Sequence, residues 1–247
     1  VLDYDTEAAR YDRTRGGEPR AEAAAGAVLG LLPQSARTLL DIGCGTGLVT
    51  RRIAHGRPAL RVFGADASYG MARLARQRIG AVALADVRQL PLRTASVDAV
   101  SAVWLLHLLR GGGLVREVVA EAARVLRPGG VFVATVDKDA GHDVGSDIDA
   151  VLTPYRSSQP ADAADLVTGY ARARGLEPAG EARFTGHGQG RSPSRTARAV
   201  LRGDYASRLA LPGEAATRLA SELTTLPDPD RPRADPAYRL LAFRACG

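Results

Sequence analysis

The sequence predicts an α/β protein built on a doubly wound, seven-stranded, mostly parallel sheet. Three observations carry that prediction. Short β-branched or apolar runs alternate with amphipathic helical stretches. The first such run, in Leu39-Leu40-Asp41-Ile42-Gly43-Cys44-Gly45-Thr46-Gly47, leads into a loop with glycine at every second position. Carboxylates then close the next two runs, at Asp66 and Asp86. Strand–helix–strand alternation argues for parallel strands with helices packed on both faces.

The elements follow in order. Ala21–Leu32 is alanine-rich and reads as a helix ahead of the first strand, Thr38–Ile42. Leu48–His55 is helical, and His55 suits the negative end of that helix dipole. Arg61–Ala65 is a strand, Tyr69–Ile79 a helix, and Ala81–Ala85 and Ala99–Val103 are strands. In Leu114–Leu126 the residues Val115, Val118, Val119, Ala122 and Leu126 recur at helical spacing. Pro128-Gly129-Gly130 is expected to stop that helix before a fifth strand, Val131–Val136. Further on, Ala161–Arg174 looks helical and Leu176–Phe184 is a weak sixth strand. Ser192–Arg202 and Gly213–Leu226 look helical, and Tyr238–Arg244 is a last strand. Four prolines make residues 227–236 a rigid connector. A chain of 247 residues, 45% hydrophobic, fits one sizeable domain better than two. Residues 1–35 form its N-terminal part, 36–137 its core, and 138–247 its C-terminal half, with an insertion at about 186–236.

No stretch approaches the ~18 apolar residues of a membrane span, and no secretory leader pattern opens the chain. Cys44 sits in the glycine loop and Cys246 is next to last, so no disulfide is expected and a reducing cytoplasm is the natural compartment. The formal charge of +6 admits a nucleic-acid partner. However, 32 of the 33 basic residues are arginine, Lys138 being the exception, and they are scattered among acids. That pattern reflects coding bias better than a phosphate-binding surface, and a nucleic-acid partner is not expected.

The loop spacing bears on the ligand. A dinucleotide site wants G-x-G-x-x-G, which would place glycine where Leu48 stands; here the third glycine is Gly47. Alternate glycines let the backbone turn sharply and approach a ligand. Asp41 adds a negative charge at the strand end, which suits a ligand carrying an ammonium and a sulfonium rather than a pyrophosphate.

Leu39–Gly47 resembles motif I of class I S-adenosylmethionine-dependent methyltransferases, and the resemblance runs over roughly Asp3–Asp137. It implies a Rossmann-like methyltransferase fold with the last strand antiparallel and helical cap insertions. The implied cofactor is S-adenosylmethionine, leaving S-adenosylhomocysteine as product. By resemblance, the backbone of Gly43, Cys44, Gly45, Thr46 and Gly47 holds the methionine part, and Asp41 contacts its amino group. Asp66, 19 residues after Gly47, can accept both ribose hydroxyls, with Ala67 beside it; Ser68 could cap the next helix instead. Met71 is implied to pack on adenine, and Ala85, Asp86 and Val87 to bind its amino edge. Ala102 and Val103 close the fourth strand over the cofactor. Asp98 reads as a strand-entry residue. Tyr11, in Tyr11-Asp12-Arg13-Thr14-Arg15, belongs to a stretch similar to family lids.

The acceptor is narrowed by what is missing. Ala102-Val103-Trp104-Leu105-Leu106-His107 lacks the Asn/Asp-Pro-Pro-aromatic motif of enzymes that methylate base amino groups. No Pro-Cys pair or triple-cysteine cluster occurs. What remains resembles the small-molecule, natural-product-tailoring branch, acting on oxygen or nitrogen. The expected partner is therefore a small-molecule acceptor, with the protein a monomer or homodimer and no metal. His107 and His142 are candidate general bases, each with a plain alternative as a loop histidine, and Asp137 is a candidate pocket residue. Arg191, Arg195, Tyr205 and Arg208, in the insertion, are candidates to meet an acidic acceptor.

Overall fold

The computed structural model describes residues 3–109, 113–156, 160–205, 209, 211 and 214–246. Two helices, α1 (Tyr4–Thr14) and α2 (Gly17–Leu31), precede β1 (Thr38–Ile42). Then come α3 (Leu48–Gly56), β2 (Arg61–Asp66), α4 (Tyr69–Ile79), β3 (Val82–Leu84) and β4 (Val97–Ala102). The second half holds α5 (Leu114–Val125), β5 (Leu126–Val136), α6 (Asp147–Leu152), α7 (Ala164–Arg172) and β6 (Leu176–Thr185). It closes with α8 (Pro193–Leu201), α9 (Ala215–Thr224) and β7 (Ala237–Ala245).

The seven strands form one sheet in the order β3-β2-β1-β4-β5-β7-β6. β3, β2, β1, β4 and β5 pair in parallel, and β7 runs antiparallel to both β5 and β6. The fold class read from the sequence is the observed one. Alternation within the strands explains both faces. Leu40, Ile42, Val100, Phe132 and Ala134 face a buried cluster with Val118 and Val119 of α5. Leu39, Ala99, Val131 and Val133 face the other cluster, with Ala24 and Val28 of α2 and Ile53 of α3. A third cluster lies away from the sheet: Ile148 and Leu152 of α6, Ala197 and Val200 of α8, Leu219 and Leu223 of α9. No described helix is long and apolar enough to cross a membrane.

Two expectations about elements need correction. The chain passes directly from α5 into β5 at Leu126, rather than breaking at Pro128-Gly129-Gly130. Val97 pairs with Leu126 and Ala99 with Val131, so the intervening residues form a bulge whose turn uses Gly129 at φ +76°. The α6 helix was not expected. Its sequence signal is a capping box, in which the Ser146 hydroxyl accepts from Asp149 N–H and the Asp149 carboxylate accepts from Ser146 N–H.

The order of strands places the ligand end. Connections from β1 run toward β3 on one side, while β4 leads toward β5 on the other. The crevice between β1 and β4, outside the carboxyl ends of the strands, is where a doubly wound sheet binds ligands.

Candidate cofactor and acceptor site

A cavity of about 480 Å³ opens at that crevice. Its floor is the loop after β1. Gly43, Gly45 and Gly47 all take positive φ, at 65°, 56° and 76°. A Cβ on Gly47 would come within 2.9 Å of the Ala75 backbone, so only glycine lets α3 start this close to α4. A Cβ on Gly45 would meet nothing within 4 Å, because that residue faces open space.

Three carboxylates line the cavity from successive strand ends. Asp41, at β1, is buried; its Oδ2 accepts from Thr50 Oγ1 at 2.6 Å and its Oδ1 from Ser101 Oγ at 2.7 Å. Burial pushes its carboxyl up to about 6, against the two hydroxyls, which lower it, and with the Asp66 charge, which adds to the rise. Asp66, at β2, accepts Gly45 N–H at 2.8 Å and Ser68 N–H at 2.9 Å. Its carboxyl is also raised by burial, while those N–H groups hold it down. Ser68 caps α4 by accepting Met71 N–H at 3.2 Å, which leaves Asp66 free of capping duty. Asp86, beyond β3, is gripped by Arg88 Nε and Nη2, and those bonds hold its carboxyl low.

This set fits S-adenosylmethionine. Two neighbouring carboxyls, both raised and neither paired with a cation among the described residues, leave a place for a ligand ammonium. Each Asp66 oxygen keeps a lone pair for a hydroxyl. Met71 offers a buried apolar wall.

Of the residues named from the sequence, Tyr11, Asp41, Gly43, Cys44, Gly45, Thr46, Asp66, Ala67, Met71, Asp86, Val87 and Val103 line the cavity. Gly47, Ala85 and Ala102 stand behind it: Gly47 starts α3, Ala85 N–H donates to the Asp66 carbonyl, and Ala102 is buried in β4. Asp98 lies at the other end of β4. There it accepts from Arg37 N–H, Thr38 N–H and Arg127 Nη1, which hold its carboxyl at about 2 despite burial.

His107, in the turn Leu106–Leu108, and His142 do not line the cavity. His142 Nε2 lies 3.2 Å from Tyr238 Oη. Asp137 does not line the cavity either; its Oδ1 accepts Ala164 N–H and so caps α7. Arg191 is engaged by Asp149 at 2.6 Å and by the His142 carbonyl. Arg195 is exposed, Tyr205 packs on the third cluster, and Arg208 lies outside the described residues. Among the described residues, none beyond Leu114 lines the cavity. Of the insertion's candidates to meet an acidic acceptor, Arg191, Arg195 and Tyr205 thus lie outside the cavity lining.

The remaining wall comes from the N-terminal helices and the loop after β4. Tyr4, Asp12, Arg15, Gly17, Arg20 and Ala21 form one side; Trp104, Leu105, Leu108, Leu109 and Leu114 form the other. Asp12 ties the lid down, accepting Thr46 Oγ1 at 2.6 Å and pairing with Arg78 at 2.7 Å. Arg20 was not singled out from the sequence, yet a signal exists. It precedes Ala24 and Val28 at four-residue spacing, on the buried stripe of α2.

Residues 40–134 match a protein family described as a methyltransferase domain. Over that segment the chain carries a methyltransferase domain. A malonyl-[acyl-carrier protein] O-methyltransferase of Geobacter sulfurreducens is 38% identical over 103 residues, which is 38% of this chain and 36% of that protein. The chain thus spans about a third of the length of curated relatives it matches. Among solved structures, a chain of the complex between the Haloferax volcanii Trm112 methyltransferase activator and a methyltransferase superposes with a TM-score of 0.62. It is 20% identical, over 100% of both chains. The [4+2]-cyclase SpnF superposes at 0.59, also 20% identical, over 98% of this chain and 94% of that one. At such identities the likeness attests the shared fold. The methyltransferase domain's family match ends at residue 134, near the end of β5.

Proposed function

We propose that this protein transfers the methyl group of S-adenosylmethionine to an oxygen or nitrogen of a small molecule, in the tailoring of secondary metabolites in the cytoplasm. One observation carries the reading: a single cavity joins the carboxylates of three successive strand ends to an apolar wall of Val103, Trp104, Leu105, Leu108, Leu109 and Leu114. The polar part suits the cofactor and the apolar part suits a small organic acceptor. The O-methyltransferase relative supports oxygen as the acceptor atom.

Asp41 would hold the ammonium, Asp66 the ribose hydroxyls, and Asp86 the adenine edge, sharing its carboxylate with Arg88. The bound cofactor supplies an electrophilic methyl carbon on a sulfonium whose charge is lost during in-line displacement. The protein's contribution is alignment and exclusion of water by the leucine-rich wall. A hydroxyl acceptor also needs a proton exit. His107 adjoins the cavity-lining Leu108, and His142 stands behind Trp104 through Tyr238; as neither lines the cavity, each is proposed as a base only through an intervening group, a minor contribution to turnover.

The test is methyl-labelled S-adenosylmethionine offered with a natural-product library and, separately, with total RNA. Label moving to a small molecule supports the reading. Label moving to RNA replaces the acceptor class. Tight cofactor binding with no label moved would indicate other chemistry on the same fold, as the cyclase likeness illustrates.

A further inference from the structure

Arg20 is 8% exposed and projects from α2 into the cavity wall. Its guanidinium carbon lies 3.4 Å from the centre of the Trp104 ring, a close cation–π stack. One nitrogen, Nη1, donates to the Arg15 carbonyl at 2.9 Å, while Nε is buried with no acceptor. Trp104 Nε1 is a second buried donor without an acceptor, in the same wall. No carboxylate among the described residues pairs with Arg20. The cavity's four acids have other partners: Asp12 pairs with Arg78 and Thr46, Asp86 with Arg88, Asp41 accepts from Thr50 and Ser101, and Asp66 from Gly45 and Ser68 N–H.

A guanidinium keeps its charge even where burial lowers its affinity for the proton, as it does here. Arg20 also hydrogen-bonds the neutral Tyr11 side chain, but a buried cation without a counter-charge is still costly, and a buried donor without an acceptor adds to the cost. Both costs vanish if an anion enters the cavity. Trp104 is itself held at φ +55°, a conformation non-glycine residues rarely adopt, with its N–H on Thr135 Oγ1. Strain of this kind collects at ligand sites.

Position selects the source of the anion. The cofactor carboxylates close β1 and β2 and follow β3, on one half of the sheet. Arg20 lies over the other half, stacked on Trp104 after β4, whose ring packs on Tyr238 of β7 at 5.5 Å. We propose that Arg20 binds a carboxylate in the cavity and that this carboxylate belongs to the methyl acceptor, whose apolar body lies against the wall of leucines. The proposal rests on the methyltransferase reading of the pocket.

The experiment compares wild type with R20M and R20K, with S-adenosylhomocysteine at saturation. The probes are matched pairs: 3-phenylpropanoate with its primary amide, and octanoate with its primary amide. Binding is followed by ligand-observed NMR and calorimetry. The expected result is an acid-over-amide preference of about tenfold or more in the wild type. R20M should abolish that preference while binding S-adenosylhomocysteine within about threefold of wild type. R20K keeps the charge but neither the planar fork nor the stack, and should lose part of the preference; it serves alone if R20M does not fold. Equal binding of acids and amides to the wild type, failure of every acid to bind, or a preference that survives substitution overturns the proposal. If R20M weakens S-adenosylhomocysteine but not its decarboxylated analogue, the carboxylate is the cofactor's and the acceptor assignment falls. Wild-type protein that binds no S-adenosylhomocysteine overturns the methyltransferase reading, and the Arg20 proposal with it.

Discussion

The N-terminal lid and the C-terminal cap are attached to the same sheet by different physics. With α2 packed into an apolar cluster on the sheet through Ala24 and Val28, the lid helix α1 reaches the glycine loop and α4 through polar contacts: Asp12 with Thr46 and Arg78, and Asp5 with Ser68 and Gly70. It shapes the cavity directly. The cap, α6, α8 and α9, has its own apolar cluster and its own ion pairs, Arg191–Asp149 and Arg233–Asp147. Among the described residues it contributes nothing to the cavity wall. A few exposed or half-exposed polar bonds make a part that can let go and re-form around a ligand. A buried apolar cluster makes a part that holds its shape. Changes in the lid should therefore be felt in ligand affinity, and changes in the cap in stability.

The largest effect should come from the core that both regions share. Asp66→Ala removes the acceptor for Gly45 and Ser68 N–H groups along with the proposed ribose contact. S-adenosylhomocysteine should then bind about a hundredfold more weakly, as two charge-assisted bonds are lost; unchanged affinity by calorimetry would remove Asp66 from the site. Next is R191M in the cap, which leaves the buried Asp149 with only the more distant Arg156 guanidinium, at 3.8 Å, in place of its 2.6 Å partner. The cost should be about 2 kcal/mol, or roughly 6 °C in Tm, with cofactor affinity unchanged. An equal fall in affinity would show that the cap does communicate with the site.

D12A should do the reverse in the lid. Its side chain is about a quarter exposed, so stability should move by less than about 1 kcal/mol. Loss of the Thr46 and Arg78 contacts should still weaken cofactor binding roughly tenfold, and a shift in Tm alone would contradict the comparison.

The pH dependence follows from Asp41. Its folded carboxyl, at about 6, lies above its ordinary value of 3.8, so between those values the folded chain holds more proton than the unfolded one. This group's contribution to stability is greatest below 3.8 and is lost as pH rises through about 6. A cationic ligand wants the ionised form, so its affinity should fall by up to tenfold per pH unit below about 6; calorimetry across pH 5 to 7 checks the sign, and D41N should flatten the curve. The smallest effect expected is that of H107N, whose imidazole does not line the cavity. A turnover change under about threefold is anticipated, whereas a loss of a hundredfold would identify a general base.

Legibility differed along the same division. The β1 loop could be read because glycine at alternate positions and a carboxylate at each of two further strand ends are local requirements of one backbone geometry. The seven strands and the class of sheet could be read from alternation, since each inner residue must find one of two apolar layers. The cap was harder. Arg191 and Asp137 look like ligand residues in one dimension, and their partners, Asp149 and the start of α7, are distant in sequence. Arg20 was overlooked for the converse reason: an arginine in an alanine-rich helix looks solvated until Trp104 is found beneath it, 84 positions later.

By itself the sequence determined the strand order's raw material, the glycine turn, and the three carboxylates that fit the methyl donor. These depend on backbone conformation and strand ends, which nearby residues dictate. Only the tertiary structure decided which charges are spent and which remain available. Whether an arginine meets a carboxylate, an indole face or an empty cavity depends on what packs against it from elsewhere in the chain. That is why Asp41 to Gly47 point to the cofactor from sequence alone, while the wall shared by Arg20 and Trp104 emerged only from the fold.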